Sequence, residues 1–252
     1  MEAFFFGSST HSLYGVYHPP AVATFNNQAV LLCGPVAHEA IRLHKALRFI
    51  ATQLANAGFH VLRFDYRGQG DSAGNMDGVT PACWQEDIVC AIQELRDISM
   101  ATNISIIGVR MGGLLAATLK STPVKVSRLV LWDPWVAGEA YQAEIFSAGK
   151  PQPDSNDIEF NGFLFPGSFT AGLPEISLMQ STFNLFQQVD LILSQHNDEF
   201  ELLSEKLKQH ENYTCTSSPA VVDWNYVDNE SGILWPMSNM QCVLQRMVGP
   251  SL

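Results

Sequence analysis

Residues 104–119, ISIIGVRMGGLLAATL, constrain the fold more than any other stretch of the chain. A short apolar run, Ile104–Ile107, enters the turn Gly108-Val109-Arg110-Met111-Gly112-Gly113 and leaves it directly as the apolar helical run Leu114–Leu119. A strand that passes so abruptly into a helix needs glycine wherever backbones cross closely. Strand-to-helix passages of this kind belong to sheets whose parallel strands are joined by helices.

The rest of the chain repeats the alternation. Two short strands are expected around Ala3–Phe6 and Leu13–Tyr17, separated by the turn-rich Gly7–His11. Ala29–Cys33 is a continuous apolar run ending at Gly34-Pro35, as a buried parallel strand would be. Leu47, Ile50, Ala51, Leu54 and Ala55 recur at helical spacing, predicting a helix over 44–57 closed by Gly58. Further strands are expected at His60–Phe64, Arg128–Trp132, Leu191–Ser194 and Ala220–Tyr226, and helices at Trp84–Leu95, Glu199–His210 and Met237–Met247. The pattern reads as α/β: a mostly parallel sheet with helices on both faces and an antiparallel hairpin at one edge. Residues 136–188 break the rhythm with Pro, Gly, Asn and many aromatics, and are expected to form a cap inserted into a core of 1–135 and 189–252.

Charge narrows the partners. Lys and Arg number 14 against 25 Asp and Glu, a net of −11, which argues against nucleic acid or an anionic membrane. Fifteen of the acidic and only three of the basic residues lie in 139–230, so the remainder of the chain is nearly neutral. Five cysteines without a C-x-x-C suggest neither a disulfide framework nor a zinc site, and no metal or cofactor is expected. MEAFFFGSS is too short for a signal h-region, and no apolar run reaches the roughly 18 residues of a membrane span. These features predict a soluble, cytoplasmic protein.

The strand, Gly-x-x-x-Gly turn and helix resemble the nucleophile elbow of the α/β-hydrolase fold. Phe64-Asp65-Tyr66-Arg67-Gly68-Gln69-Gly70-Asp71-Ser72 is similar to that superfamily's D-x-R-G-x-G-x-S segment, and Gly34 to the glycine of its HG loop. Gly34-Pro35-Val36-Ala37-His38-Glu39, with an arginine in the elbow, looks closest to the serine-aminopeptidase-like branch and to hydrolase-like proteins of exosortase systems and biosynthetic clusters.

The resemblance implies four chemical parts, and the chain departs from it in most of them. The nucleophile position is Arg110, whose guanidinium is always protonated and cannot attack a carbonyl. A histidine is expected after the last strand, but none follows His210. Asp198 or a neighbour would supply the acid, with His196 as a relocated base. Met111 keeps one oxyanion amide. Pro35 has no N–H at the usual place of the other, which a one-residue shift gives to Val36.

Arg110 has two readings. It pairs internally with Asp133 or Glu39, filling a dead site, or it points into a pocket and holds a carboxylate or phosphate bidentately. His38 and Glu39, expected in a loop bordering that pocket, are candidates for acid/base work, and Asp133, at a strand end, for a pocket partner of Arg110. Asp65, Arg67 and Asp71 read as loop ties, and Cys33 as core packing or an unrecognised nucleophile. The cap aromatics Trp135, Tyr141, Phe146, Phe160, Phe163, Phe165 and Phe169 pack the insertion or line an acyl pocket.

Three functions follow. The first is an enzyme of altered mechanism acting on an acyl- or carboxylate-bearing small molecule, free or carrier-bound, in a biosynthetic or tailoring step. There Arg110 binds the anionic or carbonyl group and His38 and Glu39 handle protons. The second is an inactive pseudoenzyme that binds or scaffolds. The third is an esterase, thioesterase or amidase with a relocated nucleophile.

Overall fold

In the sheet's centre every strand must be apolar on both faces, because helices cover both. In the computed structural model, which describes residues 1–22, 27–218, 224 and 232–249, the expected runs take that position. The chain runs β1 (Glu2–Ser8), β2 (His11–His18), β3 (Gln28–Cys33), α1 (Ala37–Asn56), β4 (His60–Phe64), α2 (Pro81–Ser99), β5 (Asn103–Val109), α3 (Met111–Ala117) and β6 (Val126–Trp132). The segment that follows holds α4 (Gly138–Ala148), a small sheet of β7 (Lys150–Pro151), β8 (Ile158–Phe160) and β9 (Phe163–Phe165), then α5 (Gly167–Gly172) and a 3-10 turn, Leu173–Glu175. β10 (Phe186–Leu193), α6 (Asp198–Leu207), β11 (Tyr213–Ser217) and α7 (Met237–Val248) complete the described elements.

Among the described residues the main sheet has eight strands in the order β1-β2-β4-β3-β5-β6-β10-β11. β1–β2 and β2–β4 pair antiparallel, and the remaining neighbours are parallel. β5 shows the logic: Ile104 and Ile106 join the core under α2, whereas Ile107 and Val109 join the one under α1 and α7. Strand order reverses around β3 and β5, the crevice where open α/β sheets place ligands.

Several boundaries differ from the sequence reading. α1 starts at Ala37, so His38 and Glu39 belong to its first turn rather than a loop, and His44 is within the helix. No side chain caps this start; Val36 does so with backbone alone, and no capping residue marks it. α2 extends back to Pro81 because Thr80 caps it by accepting from the Cys83 amide and Pro81 fills the first turn. The last described strand is Tyr213–Ser217; the strand expected at Ala220–Tyr226 lies, apart from Trp224, outside the described residues.

His18, on β2, is 4% exposed. Burial first, then the positive charges of Arg63, the N-terminus and Arg48, push its pKa down to about 4. The unfolded chain, with an ordinary imidazole near 6.5, therefore takes up the proton first. Stability from this residue is present above that value and lost as pH falls toward 4. We expect His18→Gln to flatten the acid limb of the stability–pH curve. Urea unfolding at pH 7 and pH 4.5 should show wild type losing about 2 kcal/mol more than the variant.

Candidate active site

The elbow is built where β5 ends. Arg110 takes φ 52° and ψ −120°, a conformation that side-chain-bearing residues rarely adopt, and α3 begins at the next residue. Its amide donates to the Trp132 carbonyl at 3.1 Å, and its carbonyl accepts from Gly113 at 3.1 Å and Leu114 at 3.2 Å. A Cβ on Gly112 would lie 2.3 Å from the carbonyl oxygens of both Cys33 and Gly34. The elbow and the loop after β3 are thus in backbone contact, which brings the first turn of α1 beside Arg110.

The Arg110 side chain is buried and engaged. Nε donates to Glu39 Oε1 at 2.8 Å, and Nη1 to the Asp133 carbonyl at 3.2 Å. The guanidinium carbon lies 4.5 Å from the Trp135 ring centroid and 5.0 Å from that of Trp224, within cation–π range of both. Glu39 is 2% exposed, and its second oxygen, Oε2, is buried without a hydrogen-bond partner among the described residues. Burial pushes the Glu39 carboxyl up, and the Arg110 ion pair opposes that rise.

Asp133 meets Arg110 through its backbone, while its carboxylate turns elsewhere. Oδ1 accepts from the Ser194 amide at 2.7 Å; Oδ2 accepts from Ser194 Oγ at 2.6 Å and from Trp224 Nε1 at 3.2 Å. Burial pushes this carboxyl up too, against those donors. Arg42 Nη1 donates to the Trp224 carbonyl, holding that residue from α1.

His38 is buried against the segment between β6 and β10, with Asn161 Nδ2 3.3 Å from Nε2 and the Phe160 ring edge-on at 5.5 Å. Met111 and Val36 are both buried, at the starts of α3 and α1. Tyr141, Phe160, Phe165 and Phe169 are buried in the cap's packing, and Phe146 is exposed. Cys33 is fully buried and its thiol is pushed up by burial, the reverse of what a nucleophile needs. His196 is exposed, its Nε2 2.9 Å from Ser217 Oγ, and Asp198 opens α6. In the loop after β4, Arg67 pairs with Asp87 at 2.7 Å, and the Asp71 amide donates to Asp65 at 3.0 Å.

Arg110 and Glu39 thus come together as one of the sequence readings allowed. The sequence reading missed Trp224 and Ser194. Trp224 falls inside the strand expected at Ala220–Tyr226, upstream of the stretch where a histidine was sought, so it was read as a strand residue.

Comparison with known proteins gives a consistent outline. Residues 29–152 match the family model for serine aminopeptidase, S33. RutD of Variovorax paradoxus (strain S110), a protein named for carbamate hydrolysis, is 30% identical over 124 residues, covering 46% of this chain and 45% of its own length. The chain spans less than half the length of the curated relatives it matches. Est1E from Butyrivibrio proteoclasticus, solved with ferulic acid, superposes with a TM-score of 0.66 at 18% identity, covering 98% of this chain and 96% of that one. Proline iminopeptidase of Mycobacterium smegmatis gives 0.63 at 12% identity, covering 98% and 97%. Elbow, sheet order and solved structures agree on the fold, and the matched segment agrees with them: the chain has the α/β-hydrolase fold, and residues 29–152 resemble the serine aminopeptidase family.

Proposed function

We propose that this protein is a hydrolytically silent member of the α/β-hydrolase superfamily that binds or scaffolds a small molecule, with Arg110 at the nucleophile position and Trp224 bonded to Asp133 as a base would be to its acid. The observation that carries the reading is the Trp224 hydrogen bond to Asp133 Oδ2 at 3.2 Å, made while the same indole covers Arg110. An indole N–H donates and has no lone pair to take a proton, so it imitates a histidine's bond to an acid without its basicity. Arg110 supplies charge and no nucleophile. Both replacements act in the same direction.

A fluorophosphonate probe, which reports activated serines, is expected to leave the protein unlabelled. It should also leave Arg110→Ser unlabelled, because that variant still lacks a base. Labelling of wild type at any serine overturns the proposal; labelling of Arg110→Ser overturns the assignment of Trp224.

A specific observation favours a second reading, the enzyme of altered mechanism. Glu39 Oε2 is a buried carboxylate oxygen without a donor, beside the cation best suited to a carbonyl or carboxylate. An acyl compound bearing an N–H or O–H would satisfy both, with His38 nearby on α1 to manage a proton. This reading requires turnover of an acyl ester, thioester or amide that Glu39→Gln abolishes. Absence of turnover across such a panel rejects it.

A further inference from the structure

Away from the elbow, the face between α1 and the β2–β4 edge carries an arrangement that neither reading uses. Arg63 on β4 is half-buried, and its Nε donates to Nε2 of the buried His18 at 3.3 Å. The pairing register sets Val16 opposite Arg63 and His18 opposite Val61, so His18 and Arg63 are diagonal neighbours on one face. His44 and Arg48, one turn apart on α1, are exposed beside them and act electrostatically on Arg63 and on each other. Among the described residues Arg63 has no ion-pair partner.

These cations gather in a chain of net charge −11. Arg67, Arg96, Arg110 and Arg128 each have a carboxylate, and Arg42 and Arg246 give Nη groups to the Trp224 carbonyl and to Thr216 Oγ1. The acidic group that faces this cluster is Asp65, and its Oδ2 accepts from the Asp71 amide; Tyr14 is the other titratable neighbour. Lys45 adds charge next to His44. A guanidinium partly removed from water, with its Nη groups uncommitted, gains from an oxyanion that its fork can meet bidentately. His18 suits the arrangement because burial keeps it neutral, so it accepts from Nε and leaves the Nη groups for another partner.

We infer that Arg63 and Arg48, with His44 beside them, form a binding site for the phosphoryl group of a small molecule. The ligand is small because the acidic residues concentrated in 139–230 repel an extended polyanion. The site is independent of the elbow chemistry and stands if that reading fails.

Isothermal titration calorimetry at low ionic strength, with inorganic phosphate and with phenyl phosphate, tests this. Wild type should bind at least one of them saturably, and Arg63→Gln should weaken it about tenfold or more, as expected for loss of a charge-assisted fork. Arg48 is exposed, so Arg48→Gln keeps the test valid if Arg63→Gln does not fold, and it should weaken binding in the same sense. Tighter binding of the inorganic ion identifies free phosphate as the ligand chemistry, and tighter binding of phenyl phosphate a phosphomonoester. If neither probe binds saturably, or if both variants bind as wild type does, the site does not exist.

Discussion

Replacing Arg110 by Met is expected to lower the free energy of unfolding by about 3–5 kcal/mol. The loss comes less from the ion pair's own strength than from what is left behind. Glu39 is 2% exposed and has one oxygen already unpartnered, so removal of Nε strands both. Two indole faces also lose the cation they cover, at about 0.5–2 kcal/mol for a desolvated contact. Replacing both partners, as in Arg110→Met with Glu39→Met, should recover most of the loss, because apolar groups leave no buried charge.

The single variant has a pH signature as well. Without Arg110, burial, helped by Glu144 and opposed by Arg42, raises the folded pKa of Glu39 further above the unfolded value. Its contribution is then intact below the unfolded pKa and lost as pH rises through the folded one. The deficit of Arg110→Met against wild type should accordingly be larger at pH 8 than at pH 5, by urea unfolding at each pH. A variant as stable as wild type at both would mean that the cation is held for a ligand and not for the fold.

Those interactions were legible in the chain only in part. The turn at Gly108–Gly113 and the segment Phe64–Ser72 disclosed the fold because close backbone crossings demand particular residues at particular spacings. Apolar runs disclosed the central strands for the same local reason. β11, YTCTS, is the outermost described strand, with half-exposed polar residues and no apolar period, so nothing in its composition marked it. The start of α1 was hidden because Val36 caps it without a side chain, which placed Glu39 in a loop. The Trp224–Asp133 bond joins residues 91 apart in the chain, a relation that no period or motif encodes.

Gly112→Ala should have the largest effect of any single methyl addition in the elbow. Its Cβ would stand 2.3 Å from two carbonyl oxygens, Cys33 O and Gly34 O, and 2.7 Å from Cys33 C. Those atoms are backbone at the end of a buried central strand, so no side-chain rotation relieves the overlap. Either β3 shifts against β5 or α3 tilts away from the sheet, and each disturbs packed core on both faces. A loss of about 4 kcal/mol or more is expected, enough to leave many domains largely unfolded at room temperature.

Gly74→Ala is the matching control. Gly74 also has a positive φ, 87°, but its added Cβ would meet nothing within 4 Å, so only backbone strain of roughly 1–2 kcal/mol is expected. The contrast separates steric crossing from conformational strain, and it bears on the site. The crossing at Gly112 holds the loop after β3 against the elbow, and that loop leads within a few residues to Glu39. If Gly112→Ala folds under stabilising conditions, Arg110 and Glu39 should be drawn apart. Combining Gly112→Ala with Arg110→Met should then cost less than the sum of the two, because part of the same contact is already lost. Full additivity would show that the ion pair does not depend on the glycine crossing.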